Sequence, residues 1–370
     1  MIPTGLEALL FIAAAAAATL VLSYLLTPLA GRLAERSGAI DSPDDPRRVH
    51  DRPVPRGGGL AIALAFLVGA IGASAVNGAS GIVPRLHSIQ PAELGALFVG
   101  VAVAAALGFI DDRRDIRARW QLVAQIGLAL LAVVSGATID FINNPFGSGL
   151  IRFDEPVAIL VTVVWIVGMI NSINFIDGLD GLSTGVGLVA AVTLGVISLT
   201  SALNQPYVAL LCLVLAAALA GFLPWNFHPA RIFSGTAGVY ALGYALAVLS
   251  ILGTAKVALA LLVLGVPILD TFWIIVRRLA NRRSPFTPDR GHFHHRLLDL
   301  GLSHRQAVLL IYGLCGVLAM LSLVLTGRQQ LSAFLAAILA FGVLLLFLGM
   351  RNRVSQELSA ASYDDPERQR

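Results

Sequence analysis

Residues 156–181 read PVAILVTVVWIVGMINSINFIDGLDG. The run from Pro156 to Ile170 is apolar, and it ends in two amides and two carboxylates: Asn171, Asn174, Asp177 and Asp180. Polar groups at the edge of a lipid-spanning helix are costly, so by default they mark function. Three-residue steps put Asn171, Asn174 and Asp177 on neighbouring helix faces, after which Gly178 and Gly181 loosen the backbone. Two carboxylates with amides beside them form the oxygen-rich setting that a hard cation such as Mg²⁺ prefers. The plain alternative is a helix C-terminus that Gly and Asp simply close.

The rest of the chain shares that apolar character. Of its 370 residues 57% are hydrophobic and only 13% charged, and the mean hydropathy of +0.81 is far above that of a water-soluble domain. Apolar stretches exceed the roughly 18 residues one span needs, and helices satisfy their own backbone hydrogen bonds in lipid. The expected fold is therefore all-α, a polytopic membrane bundle; the short alternating segments of a β-barrel do not occur. Eleven spans are predicted, at 6–30, 58–77, 91–110, 119–138, 156–175, 181–200, 206–224, 237–254, 256–276, 306–326 and 331–349. The first lacks a basic leader and reads as a retained span. Cys212 and Cys315 fall inside spans and suggest neither a disulfide nor a thiolate metal site.

Orientation follows from the basic residues. With the N-terminus outside and the C-terminus cytoplasmic, all but four of the 26 arginines and lysines (Arg85, Arg152, Lys256 and Arg328) lie on the inner side, as retained positive charge requires. One membrane domain over 1–350 is expected, with inner loops 31–57, 111–118, 225–236 and 277–305, and a polar cytoplasmic tail over 351–370. Asp111 and Asp112, the Asn171 to Gly181 segment, the loop before Gly238 and the histidine-rich loop then all meet the cytoplasm, where they can assemble one site.

Several of these segments admit more than one reading. Asp111 and Asp115 share a helical face, with Asp112 roughly 100° away. They are either a salt-bridged helix end beside Arg113 and Arg114 or a pair that handles Mg²⁺ or phosphate. His292, His294 and His295 stand among Arg290 and Arg296, a mixture suited to a diphosphate through charge-assisted hydrogen bonds; ordinary inner-loop character and a metal site are the other readings. Gly57, Gly58 and Gly59 either cradle an anion or make a turn. Asp270 pairs structurally with a neighbour or lines the site.

Taken together, Gly108 to Asp112, Asn171 to Gly181, Pro229 to Phe233, Pro267 to Thr271 and His292 to Gly301 resemble the polyprenyl-phosphate N-acetylhexosamine-1-phosphate transferases, of the glycosyltransferase family 4 type, and within them the GlcNAc-1-phosphate branch. The resemblance implies attack by a membrane polyprenyl phosphate on the β-phosphorus of a UDP-N-acetylhexosamine, releasing UMP and starting cell-envelope glycan synthesis such as that of lipopolysaccharide or teichoic acid. It implies Asp111, Asp112, Asp177 and Asp180 as catalytic residues, and Asp112 and Asp180 as ligands of Mg²⁺ or Mn²⁺. Substrate contacts fall to Asn171, Asn174, Arg290, His292, His294, His295 and Arg296. The expected setting is the inner (plasma) membrane of a bacterium with the active site cytoplasmic; a homodimer is compatible, and no nucleic-acid partner is expected.

One position departs from the family. Where Met/Leu-Gly-Asp-x-Gly-Ser is usual, with its Asp a metal ligand, this chain has Ser234-Gly235-Thr236-Ala237-Gly238-Val239. A hydroxyl is a poorer Mg²⁺ ligand than a carboxylate. A catalytically impaired polyprenyl-phosphate binder or scaffold is therefore the alternative, and a solute transporter using intramembrane acids is a third reading.

Overall fold

The computed structural model describes residues 5–41, 53–84, 89–144, 149–200, 203–252, 260–261, 263–280, 282, 292–325, 329–330, 332–340 and 342–343. The named helices are α1 Leu6–Ser37, α2 Gly58–Ser80, α3 Pro91–Arg114, α4 Ala118–Val134, α5 Glu155–Ile176, α6 Leu182–Ser198, α7 Pro206–Asn226 and α8 Gly235–Leu252, then α9 Gly265–Ala280, α10 Phe293–Asp299 and α11 His304–Val324. Seven of them are long and apolar enough to cross a membrane, and α4 and α6 are shorter apolar helices. This is the architecture of a polytopic helical membrane protein.

Helix boundaries follow local chemistry. Pro91 occupies the first turn of α3, where Gln90 and Glu93 form a capping box, and Pro156 starts α5 in the same way. α1 ends at Gly38, whose left-handed φ of 77° closes the last turn. Ser303 and Gln306 cap α11 reciprocally.

The expected inner loops are shorter than the sequence implied. α1 continues to Ser37 because Gly31 and Ala34 extend its buried face, Gly31 lying against Ile232 and Ala34 being fully buried. α3 reaches Arg114, α7 reaches Asn226, and α9 runs on to Ala280; the loop after it contains α10. The chain is also not wholly helical. Ile40–Asp41 pairs with Val54–Pro55, and Phe141–Asn143 with Leu150–Arg152, as two small antiparallel sheets. Of the eleventh expected span, residues 332–340 are helical, while most of 341–349 and the tail lie outside the described residues, as do 253–259, which hold the end of the eighth expected span and the start of the ninth.

α8 is the centre of the bundle, packing on α2, α3 and α5, while α7 packs on α1, α2 and α6. Tyr240 and Tyr244 of α8 and Phe222 of α7 are fully buried. Outward, Leu25, Leu64, Val68, Val99, Leu160 and Val164 are exposed, an apolar face suited to lipid. Glycine lets the central helices touch by backbone. A Cβ at Gly59 would overlap Gly238, and one at Gly108 would overlap the Thr236–Ala237 peptide.

Candidate functional site

The C-terminal ends of α3, α5 and α7, the N-terminal ends of α8 and α11, and the junction of β2 with α2 meet at one end of the bundle. The glycines after Arg56 are structural there. The Gly58 N–H donates to the Phe233 carbonyl and the Gly59 N–H to the Ser234 carbonyl, both at 2.9 Å, so these two amides are engaged by backbone rather than offered to an anion.

The two acid pairs are held differently. Asp112 accepts the N–H groups of Thr236 (2.8 Å) and Ala237 (3.1 Å), which puts a carboxylate on the first turn of α8. Asp111 turns away and does not line either cavity described below. Its Oδ1 accepts from the Ile116 N–H (2.9 Å) and Gln121 Nε2 (2.8 Å), and its Oδ2 accepts from Thr236 Oγ1 (2.8 Å). Thr236, neutral where an acid was expected, thus clasps α3 to α8. Asp115 ends α3 with a left-handed φ of 45° and is exposed.

Asp177 follows α5. It accepts a short hydrogen bond from Ser183 Oγ and another from Ser234 Oγ at 2.8 Å. Burial pushes its carboxyl up to about 7; the two serine hydroxyls work against this, Asp112 adds repulsion, and Arg56 attracts. Asp180 Oδ2 accepts from His228 Nδ1 (2.7 Å) and the Ala230 N–H (3.0 Å), and the Asp180 N–H donates to His304 Nε2 (2.8 Å).

Asp180, His228 and His304 are the one group of three among the described residues whose ligand atoms lie within 4.8 Å of each other. The two rings stack at 4.1 Å with an interplanar angle of 17°, so their in-plane lone pairs lie in two nearly parallel planes instead of converging on one point between them. His304 Nε2 is already an acceptor for Asp180. The group is a hydrogen-bonded network, not a preformed metal site.

A cavity of about 360 Å³ gathers Asp112, Asp177, Asp180, Asn174, His295, His304, Arg56 and Thr236 on its walls. Arg56 also forms an ion pair with Asp41. A second cavity, of about 680 Å³, shares Asn174, Asp177, Gly178 and His295 with the first, and continues between α4, α5 and α9 past Leu122, Val164, Val167 and Ile275. Asn171, His292 and His294 line this second space. The Asn171 amide is tied to Gln125 Oε1 (2.6 Å) and to the Val167 carbonyl (2.8 Å).

His294 is buried, its Nε2 has no hydrogen-bond partner, and burial, then His295, His292 and His304, hold its protonation well below the ordinary histidine range. Gly178 is glycine because a Cβ there would overlap the His294 ring. Arg296 is buried and lines neither cavity. Arg290 lies outside the described residues.

Of the residues expected from sequence, Asp112, Asp177, Asp180, Asn174 and His295 therefore share the first cavity, and Asn171, His292 and His294 the second. Arg56, His228, His304, Ser183 and Ser234 were missed. His228 did carry a signal, standing directly before the Pro229 to Phe233 run.

Residues 94–254 match the model of glycosyl transferase family 4. The chain is 36% identical over 341 residues to a probable undecaprenyl-phosphate N-acetylglucosaminyl 1-phosphate transferase of Bacillus subtilis, covering 90% of each. It is 34% identical to a decaprenyl-phosphate N-acetylglucosaminephosphotransferase of Mycobacterium tuberculosis, over 87% of this chain and 85% of that one. An undecaprenyl-phosphate alpha-N-acetylglucosaminyl 1-phosphate transferase of Thermotoga maritima is 30% identical, over 74% of this chain and 78% of the other. This chain belongs to the polyprenyl-phosphate N-acetylhexosamine-1-phosphate transferase family.

Proposed function

We propose that this protein transfers GlcNAc-1-phosphate from UDP-GlcNAc to polyprenyl phosphate at the cytoplasmic face of a bacterial plasma membrane. A phosphate oxygen of the lipid attacks the β-phosphorus, the bond to the bridging oxygen breaks, and UMP leaves with that oxygen and its electrons. The product starts a cell-envelope glycan. The observation that carries this reading is the pair of joined cavities: one lined by acids, an amide, imidazoles and Arg56, the other opening along apolar side chains of α4, α5 and α9. A water-borne diphosphate suits the first, and a prenyl chain suits the second.

Phosphoryl transfer depends mainly on positioning and on neutralising charge. Arg56, His295 and His304 are the cavity's candidates for contact with diphosphate oxygens, with Asn174 on the nucleotide side. The residues fit a hard divalent cation. Asp112 and Asp177 line one cavity with the hydroxyl-bearing Ser234 and Thr236, an all-oxygen set. Mg²⁺ usually takes one or two carboxylates and completes its shell with water and substrate phosphates. Asp112 and Asp177 would hold it, with Asp180 in the same cavity; when bound, Mg²⁺ or Mn²⁺ supplies charge neutralisation to the diphosphate.

Purified protein given UDP-GlcNAc, polyprenyl phosphate and Mg²⁺ should release UMP. No release with either Mg²⁺ or Mn²⁺ overturns the reading. Thr236 supports a second one, since a hydroxyl engaged with Asp111 stands where the family has an acid. A non-catalytic binder would retain polyprenyl phosphate in the same preparation without producing UMP.

A further inference from the structure

The turn between α5 and α6 carries Asp180 and Gly181, and α11 grips it at two backbone points. The Asp180 N–H donates to His304 Nε2 at 2.8 Å, and the Gly181 carbonyl accepts from the Tyr312 hydroxyl at 2.5 Å. Gly181 has a left-handed φ of 79°, and a Cβ at Gly185 would overlap the Tyr312 ring, so that ring lies directly on the α6 backbone. The same helix holds the loop after α7. His228 stacks on His304, and Arg305 Nε donates to the His228 carbonyl at 3.1 Å.

His304 lines the smaller cavity, yet it has no nitrogen to offer a diphosphate oxygen. An amide N–H must meet a lone pair, so Nε2 carries no proton and is engaged; Nδ1 is enclosed, with no hydrogen-bond partner among the described residues. Asp180, by contrast, is held on one oxygen. Oδ2 takes the His228 ring and the Ala230 N–H, whereas Oδ1 has no hydrogen-bond partner among the described residues and belongs to a side chain on the cavity wall.

We infer that His304 is a positioning residue for Asp180. It fixes the backbone from which the carboxylate hangs, so that Oδ1 faces the smaller cavity from one place. What this contributes to transfer rests on the transferase reading; the grip on the Asp180 amide does not.

Two substitutions separate the acceptor from the ring. His304→Gln puts a carbonyl oxygen near the place of Nε2 and gives up the ring, whereas His304→Phe keeps a ring to stack on His228 and gives up the acceptor. Hydrogen exchange of the full-length protein, resolved to single amides by mass spectrometry, reads the grip without any substrate. The Asp180 amide should be protected in the wild type, exchange about tenfold faster in His304→Phe, the scale of one lost hydrogen bond, and stay within about threefold of the wild type in His304→Gln. An Asp180 amide that exchanges freely in the wild type, or at the wild-type rate in His304→Phe, overturns the grip.

UMP release should follow the same order. His304→Phe should lower kcat about tenfold with KM for UDP-GlcNAc within about threefold, because Asp180 is displaced and no substrate contact is removed, and His304→Gln should recover most of the loss. A ring that only packs predicts the reverse order, with Phe tolerated and Gln harmful. A ring that touches the diphosphate predicts a raised KM in both. Either result overturns the assignment. Should His304→Phe not fold, His304→Asn, whose oxygen stands near Nδ1 and falls short of the amide, takes its place, and equal effects of Asn and Gln overturn the role of the acceptor. A wild type that releases no UMP fails as a transferase, while exchange at its Asp180 amide still decides the grip.

Discussion

The two acid pairs look alike in sequence, each ending an apolar helix, yet the fold uses them differently. Asp112 gives both oxygens to backbone amides of α8, and Asp111 is held by the Ile116 amide, Gln121 and Thr236. Asp177 is held by two serine hydroxyls, and Asp180 by an imidazole and one amide. Helix amides cannot rotate away, whereas hydroxyls and imidazoles can. The first pair is therefore fixed in place against α8, Asp112 keeping for the cavity only the lone pairs its amides do not use, and the second is the one freer to exchange protein partners for a ligand.

Replacing Asp177 separates those roles most sharply. Asp177→Asn should lower UMP release about 10²–10³-fold, the scale of removing one electrostatic group from a reaction centre. It should also stabilise the metal-free protein. Because burial pushes the folded carboxyl up to about 7, above the ordinary carboxylate value of 3.8, the native state holds a proton that the unfolded chain releases, so stability falls as pH rises between those values. The gain from Asp177→Asn should be absent below pH 4, grow to pH 7 and level off at up to about 4 kcal/mol. Melting in EDTA at pH 5 and pH 8 measures it, and equal gains at both would show that Asp177 carries no burial penalty.

Asp112→Ala should behave in the opposite way, destabilising the fold by about 1–3 kcal/mol because it removes the cap of α8 and orphans two amides. A denaturation curve unmoved by this change would undo the scaffold role. Gly178→Ala, on the side of the second pair, should cost about 1–3 kcal/mol by forcing the His294 ring aside. Relief of that cost in the double variant Gly178→Ala/His294→Ala would tie it to the ring.

The smallest effect is expected from Thr236→Asp. It brings a third carboxylate against Asp111, so the variant should melt slightly lower in EDTA and gain more from Mg²⁺ than the wild type does. Equal gains from Mg²⁺ in both proteins would mean that position 236 does not reach the ion.

Much of this site was legible because lipid punishes polarity. Asp112, Asp177, Asp180 and Asn174 stood out as polar residues at the ends of apolar runs, and the chain brings all four to one cavity. What could not be read was which groups answer them. Ser183 and Ser234 carry no charge and sit in ordinary small-residue context, and Arg56 reaches the acids from the short junction between β2 and α2. His304 is the first residue of α11, far along the chain, and nothing local announces that it receives the Asp180 N–H. Asp270 was visible as an intramembrane-looking acid, but its partners His292 and Phe293 lie beyond a loop whose path the sequence does not encode in any pattern. The C-terminal end of α1 was placed too early for a related reason: the turns carrying Gly31 to Ser37 are polar on one side only, and their buried side shows itself only against Ile232 and Gly57.

At Gly59 against Gly238 and at Gly108 against the Thr236–Ala237 peptide, α2 and α3 meet α8 with no side chain between to act as a cushion. Three rods joined in that manner respond to a thinning or thickening bilayer by tilting as one body. The acids travel with the amides they grip, and the cavity they line keeps its internal spacing while the surrounding lipid changes.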